Sequence, residues 1–468
     1  MKTIKKLQPV YKIISLIVGL LISGSLISPV HSQDIAIHNQ LNRQSQYLYY
    51  PLSVKRFYSA MNYKEAWLAP DTVKTHAYDA MLLLDCVRQY GLNYADYHPD
   101  KLLYDKLNAI TASYALSNPD ERASFDIFLT DAMIRFVNNL HYGKLNPRYT
   151  EKSLDSRSND GVQAENILLS AIATKNFIAD IERVQPRSEL YRDLQRQMHK
   201  MAGVYVGDCY DVPEASIRQV AVNMERLRWI PVKGRSYVQV NIPSFTLKFR
   251  QQDTFVSYRV VVGKQETPTA IASGTLTGIV LGEPVPDIRR WLPSSLNDIN
   301  YVEKHAYQLT DLDGKRIEPT AANIAIAKQN PSKYRLIVPK PNQNTTSLIN
   351  FEVNGANITL AGRANANSFK TTNQALSNGT VWIDQAEKLV ASLLKYDSGQ
   401  GSAIEFNKAI ATKRRHNHRL KNPLPVYVTY QTCEVKEGVL EAYDDIYHLD
   451  ERISKALFKG AFAVPTYQ

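Results

Sequence analysis

A chain of 468 residues, 44% hydrophobic and 22% charged, is long enough to bury the cores of two to three ordinary domains, which excludes a disordered polymer. Its 56 Lys and Arg against 45 Asp and Glu give a formal charge of +11, which suits an anionic polymer or membrane surface. No nucleic-acid module accompanies that charge, so nucleic acid is not an expected partner. Three cysteines, Cys86, Cys209 and Cys433, lack metal-ligand spacing and sit beside apolar or aromatic residues, as small core residues do. No metal and no cofactor is expected, and an odd count leaves at least one thiol outside any internal disulfide.

The N-terminus carries Lys2, Lys5, Lys6 and Lys12, then an apolar run from Ile13 to Ile27 that stops at Pro29, ahead of Val30-His31-Ser32 and Gln33. A charged start, apolar middle and small-residue end predict a signal peptide over residues 1–32. An uncleaved membrane anchor is the alternative, although the run is short for a span of ~20 apolar residues. No cysteine follows to carry a lipid. Removal of the leader takes its four lysines and lowers the charge from +11 to +7.

From about Leu41 to Lys200, apolar residues recur at three- and four-residue spacing in Tyr78 to Tyr90, Phe125 to Leu140 and Glu189 to Met201, predicting a helical layer. Gly91, Gly143, Pro147 and Pro186 mark helix ends, because Gly tolerates a left-handed cap and Pro stops the next turn. "NMERLRWIP" at 223–231 leads into a strand-rich part. There Tyr237 to Lys264 alternates apolar and polar residues around a turn at Gln251-Gln252-Asp253, predicting two paired strands. Leu424 to Asp450 predicts a strand, a turn at Glu437-Gly438 and a closing strand with Asp445-Ile446-Tyr447, followed by a helix.

Between these lies "LSNGTVWID" at 376–384, where Gly379 predicts a tight strand-to-helix turn. With its flanks the segment resembles the L,D-transpeptidase family (YkuD-type catalytic domain), in which Ser-His-Gly-Cys, a hydrophobic residue and Arg carry the nucleophile. Ser377 and Gly379 match that frame, while Asn378 stands in the histidine slot, Thr380 in the cysteine slot and Trp382 in the arginine slot. Upstream, the family's Leu-His-Asp-Thr corresponds to Leu360-Ala361-Gly362-Arg363, so the imidazole position has become Ala361. The substrate-loop segment keeps Val285-Pro286 and Ile288 but has Glu283 in the tryptophan slot. "YGLNYADYHP" at 90–99, "FLTDAMIRFVNNLHYGKLNP" at 128–147 and "VQPRSELYRDL" at 184–194 follow in the order of the scaffold of the larger Gram-negative, YcbB-like members. "VVVGK…TPT", ending at Thr269, matches the opening of the catalytic domain. The resemblance runs from about residue 45 to 460.

It implies an enzyme that acylates a thiol with a stem-peptide carbonyl, using a histidine to move the proton and donors to hold the oxyanion. A threonine hydroxyl holds no standing anion population and needs a partner base, and Thr380 is far from any free amine. Loss of a nucleophile or its base costs up to ~10⁶ in rate, about 8 kcal/mol. Ser377 keeps a hydroxyl, but in the family that serine is structural. Cys433 is a further thiol, Asp384 and Glu387 could form an acid/base pair or cap the helix "DQAEKLVASLL", and His416 with His418 could ligate zinc or lie in a solvated basic loop.

The expected fold is α+β: a helical scaffold domain over 35–222, then a strand-rich YkuD-like domain over 223–468 with a lid or insertion around Leu292 to Lys333. The degenerate cleft is expected where the strand ending at Ala361 meets the turn at Gly379. The implied protein is exported to the periplasm or cell envelope, takes part in peptidoglycan remodelling, and binds peptidoglycan, its stem peptides or cell-wall synthesis proteins as a catalytically silent member. The alternative is an active L,D-transpeptidase or carboxypeptidase with a non-cysteine nucleophile.

Overall fold

A computed structural model describes residues 30–68, 75–158, 161–202, 213–230, 232–282, 308–330, 333–337, 348–363, 369, 372–412 and 416–459. Residues 1–29 of the expected leader, Cys209, the segment from Glu283 to Ile288 and residues 292–307 of the expected insertion lie outside these. The fold is α+β, and the chain divides into two compact units, Met1–Trp229 with Glu451–Gln468, and Ile230–Asp450.

The first unit is helical: α1 (Val30–Gln44), α2 (Pro51–Ala60), α3 (Ala77–Asp85), α4 (Tyr104–Ala112), α5 (Pro119–Tyr142), α6 (Glu151–Asp155), α7 (Ala164–Ile172), α8 (Phe177–Glu182), α9 (Glu189–Ala202) and α10 (Glu214–Trp229). Among the described residues no helix is long and apolar enough to cross a membrane. Helix α5 is the axis of the unit. Its start is fixed by Asn118, whose side chain accepts the Asp120 N–H, by Pro119 in the first turn and by Asp120 and Glu121 beside the helix dipole. Gly143, at φ +88°, ends it.

Buried carboxylates then tie irregular chain to this axis. Asp126 accepts the N–H groups of Ala66, Trp67 and Leu68 and the Tyr58 hydroxyl, at 2.6 to 3.2 Å. Asp131 accepts the N–H groups of Tyr49 and Tyr50 and faces His98 Nε2 at 2.7 Å. Asp155, at the end of α6, accepts from Leu52 and Ser53 and thereby caps α2, whose own N-cap residue Tyr50 supplies no side-chain bond. Each carboxylate replaces water for backbone donors that no helix or sheet satisfies.

The second unit carries β1 (Ser236–Asn241), β2 (Thr246–Gln251), β3 (Thr254–Gly263), β4 (Ala272–Leu281), β5 (Gln308–Asp311), β6 (Arg316–Ile317), α11 (Ala321–Gln329), β7 (Tyr334–Ile337), β8 (Leu348–Asn354), β9 (Leu360–Arg363), β10 (Ala375–Ser377), β11 (Val381–Ile383), α12 (Ala386–Ser398), α13 (Gln400–Ala411), β12 (His416–Thr429), β13 (Cys433–Lys436) and β14 (Val439–Ala442). One last helix, α14 (Asp450–Leu457), starts at the unit boundary. The main sheet runs β10-β3-β11-β9-β8-β4-β12-β1-β2, and β2 also pairs with β3, so the sheet closes on itself. Val238, Val240, Leu247, Phe249, Ile279 and Phe351 fill its interior beside Leu389, Val390 and Leu393 of α12.

Two local expectations are corrected. Tyr237 to Lys264 forms three strands, not two, because Pro243 and the left-handed Phe245 (φ +52°) make an additional turn closed by the Phe245 N–H to Ile242 carbonyl bond. Asp445-Ile446-Tyr447 is a turn and not a strand: the Asp445 carboxylate accepts the N–H groups of Leu449 and Asp450 and bends the chain into α14. The described part of the expected insertion carries β5, β6 and α11, and β7, just beyond it, completes a small sheet in the order β6-β5-β7.

Candidate functional site

The cleft elements meet through β9 and β11, which pair in parallel with Leu360, Ala361 and Gly362 opposite Val381, Trp382 and Ile383. Side chains alternate across a strand, so Val381 and Ile383, both buried in the core, put Trp382 on the other face. Ala361 shares that face as its register partner, with Val261 of β3 and Asn350 of β8 continuing the row. The position where an imidazole is implied by the family resemblance is thus a methyl group, 2% exposed, beside a half-buried indole. Gly362 is required for close packing here, since a Cβ would lie 2.0 Å from that of Ala386.

The Ser377–Thr380 turn links two strands, β10 and β11, and the helix α12 starts only at Ala386; the strand-to-helix expectation is corrected accordingly. Gly379 has φ +91°, a conformation that favours glycine. The turn is splinted on one side. The Ser377 carbonyl accepts the Lys264 N–H (2.9 Å) and the Thr267 hydroxyl (3.3 Å), and the Gly379 carbonyl accepts the Thr269 hydroxyl (3.0 Å). Thr269 Oγ1 in turn accepts the Gly263 N–H at 2.9 Å. Tyr447 locks this loop: its hydroxyl accepts the Thr269 N–H (3.1 Å) and donates to the Gly263 carbonyl (2.7 Å), while burial pushes the phenol's pKa up and keeps it protonated. The Tyr447 N–H is itself held by the Tyr430 hydroxyl, which donates to Asp445 at 2.6 Å.

Thr269 and Tyr447 lie 178 positions apart in separate segments, so their contact is not legible in the sequence. The structure shows why Gly263 stands there: a Cβ would sit 2.2 Å from the Thr267 carbonyl oxygen.

The hydroxyls of the motif are not prepared for nucleophilic work. Ser377 Oγ donates to the Thr380 carbonyl at 2.5 Å. Thr380 is half-buried, and among the described residues no imidazole or carboxylate hydrogen-bonds its hydroxyl; Asn378 is exposed. Cys433 is fully buried at the start of β13, opposite Ala442. Cys86 lies in the other unit, and burial raises its thiol pKa, which lowers its thiolate content.

Asp384 precedes α12 and its N–H donates to the Arg259 carbonyl, so it does not share a helix face with Glu387. The left-handed Gln385 (φ +51°) separates the two. His416 and His418 lie on β12, not in a solvated loop, half-buried on one face; His418 Nε2 is 3.4 Å from Asp397 Oδ2 and His416 packs edge-on against Phe406. Hydrogen bonds from Ser398 and the Asn422 N–H hold the Asp397 carboxyl below its usual range against the opposing effect of burial. Among the described residues no three acidic, histidine or cysteine side chains gather as a metal set.

Two comparisons with known proteins bear on these elements. Residues 52–198 match a family model described as a scaffold domain. Over 347 residues the chain is 25% identical to a Haemophilus influenzae protein named "Putative L,D-transpeptidase", an alignment covering 71% of this chain and 68% of that relative.

Proposed function

We propose, from the premise that this chain belongs to the L,D-transpeptidase family, that it is an envelope protein of peptidoglycan remodelling whose transpeptidase centre is catalytically silent and binds stem peptides or a wall-synthesis partner. The observation that carries this reading is the proton chemistry of the cleft. Ala361 fills the imidazole position, Trp382 stands beside it in register, and no base reaches the Thr380 hydroxyl among the described residues. An alcohol with an ordinary pKa and no base lacks the ~10²- to 10⁴-fold that general-base catalysis supplies, and lacks the thiolate that cysteine supplies. Ser377 offers no replacement, because its hydroxyl proton is engaged by the Thr380 carbonyl within the turn.

The backbone of the turn is held in place by its neighbours. The Thr267, Thr269 and Tyr447 bonds hold its backbone without any catalytic side chain, which supports retention of ligand binding after the loss of turnover.

The test incubates purified full-length protein with muropeptides and follows 3–3 cross-links and released D-alanine by mass spectrometry, alongside pull-down on insoluble peptidoglycan. Binding without turnover, unchanged in Thr380→Ala, is the expected result. Turnover that disappears in Thr380→Ala would establish a threonine nucleophile in place of silence. Failure to bind peptidoglycan would move the function to a protein partner.

A further inference from the structure

The sequence holds two Asn-Gly pairs, Asn354-Gly355 and Asn378-Gly379. In such a pair no Cβ shields the backbone nitrogen that follows the asparagine, so its approach to the side-chain amide of the residue before it is sterically open. Both asparagines are exposed. The fold nevertheless treats them differently. Asn354 is the last residue of β8 and pairs with Thr275 of β4, which holds its backbone extended in a ladder and away from the folded-back shape that ring closure needs. Asn378 lies in a bend outside any ladder.

The turn around Asn378 is held by groups that take no part in such a closure. Its splinting bonds all end on carbonyl oxygens: that of Ser377 accepts from Lys264 and Thr267, that of Gly379 from Thr269, and that of Thr380 from the Ser377 hydroxyl. Among the described residues no hydrogen bond engages the Asn378 side chain or the Gly379 N–H. Space is also present, since a Cβ on Gly379 would meet nothing nearer than the Pro268 carbonyl oxygen at 3.5 Å. The attacking nitrogen and the amide it attacks are thus adjacent, uncommitted and uncrowded in the folded chain.

We propose that Asn378-Gly379 is a site of self-modification, at which the folded chain converts its own asparagine to aspartate and isoaspartate. The Gly379 nitrogen bonds to Asn378 Cγ, the bond from Cγ to the side-chain nitrogen breaks, and that nitrogen leaves as ammonia with the Gly379 amide proton. A five-membered succinimide remains. Water then opens one of its two carbonyls, giving aspartate or, with the main chain rerouted through Cβ, isoaspartate; water is the only co-reactant and nothing is oxidised or reduced. Either product puts a carboxylate into the turn. Isoaspartate also adds a methylene to the main chain between the anchored Ser377 and Gly379 carbonyls, so one of their bonds must give. On the reading that this turn binds stem peptides, which carry carboxylates themselves, both products weaken that binding and the site acts as a timer on it.

The experiment incubates the purified full chain, native and in urea, at neutral pH and physiological temperature in water enriched in oxygen-18, and maps tryptic peptides over time. Asn378 falls in the peptide 371–388 and Asn354 in a peptide that ends at Arg363. In the native chain the Asn378 peptide is expected to exchange its amide nitrogen for labelled oxygen and to split into aspartate and isoaspartate forms. It should do so about two- to tenfold faster than the Asn354 peptide, the factor that one ladder hydrogen bond supplies. In urea the two rates converge. Asn378→Gln, whose longer side chain closes a less favoured six-membered ring, removes the change at position 378 and leaves that at Asn354. A native Asn378 that reacts no faster than Asn354, or that stays unchanged while the urea-unfolded chain reacts, overturns the proposal. Label that persists in the same peptide of Asn378→Gln overturns it as well. None of these readouts depends on a ligand or on turnover at Thr380.

Discussion

Ala361 and Trp382 are register partners across the parallel pairing of β9 and β11, on the face of the sheet turned away from its core. In the proposed correspondence with the family motif, the imidazole and guanidinium slots are therefore neighbours, and both residues standing there are uncharged. Neither of these two residues offers a cation to stabilise the anion of a thiol placed at Thr380. In Thr380→Cys the new thiol is expected to titrate at ~8.5 or above and to alkylate with iodoacetamide at the rate of an ordinary buried or half-buried cysteine. The rate against pH, followed by intact mass, checks this; an inflection below neutrality would reveal a hidden activating group.

Tyr447 is expected to matter more for the shape of the motif than any residue within it. Tyr447→Phe removes the acceptor of the Thr269 N–H and the donor to Gly263, and should cost about 1–3 kcal/mol in urea unfolding, because the Thr269 N–H is then buried unpaired. Thr269→Val removes the bond to the Gly379 carbonyl and leaves the buried Gly263 N–H without its acceptor, with a loss of about 1–3 kcal/mol.

The two glycines of the cleft should respond differently. At Gly379 a Cβ meets nothing nearer than the Pro268 carbonyl at 3.5 Å, so Gly379→Ala carries only the cost of a positive φ, about 1–2 kcal/mol. At Gly362 a Cβ would overlap that of Ala386, and Gly362→Ala should exceed that loss by displacing α12 from the sheet. Melting curves of the two variants side by side give the order.

Burial pushes the Asp126 carboxyl up to about 7 against the Ala66, Trp67 and Tyr58 donors that favour its anion. Its pKa in the unfolded chain is near 3.8. Between about 4 and 7 the folded state therefore holds a proton that the unfolded state has released, so this group's contribution to stability falls as pH rises through that window and is level above it. Asp126→Asn should be less stable throughout and should show a flatter decline in melting temperature from pH 4 to 7. An unchanged slope would show that Asp126 stays ionised in the fold.

Much of the helical unit was legible because its signals are local: the apolar spacing from Phe125 to Leu140 and the glycines at 91 and 143, both with positive φ, fall where periodicity and cap chemistry put them. The candidate site was legible only by its motif. Strand β11 has three residues, too few for an alternation to register, and so Gly379 read as a strand-to-helix turn. The pairing of Tyr447 with Gly263 spans 184 positions and depends on a carboxylate turn at Asp445 that the sequence presents as another strand. Likewise, nothing in the composition of α14 marks the return of residues from Glu451 onward to the first unit.

The carboxylates of α5 and α6 carry a consequence for synthesis on the ribosome. Asp131 receives chain 81 positions earlier at Tyr50, and Asp155 receives Ser53 from 102 positions earlier. The first segments of this unit to emerge hold backbone donors whose acceptors have yet to be translated. They must wait, solvated and unanchored, until the 81 residues to Asp131 and the 102 residues to Asp155 have followed them out of the tunnel, so the birth of these segments is separated from their consolidation by the synthesis of much of the unit.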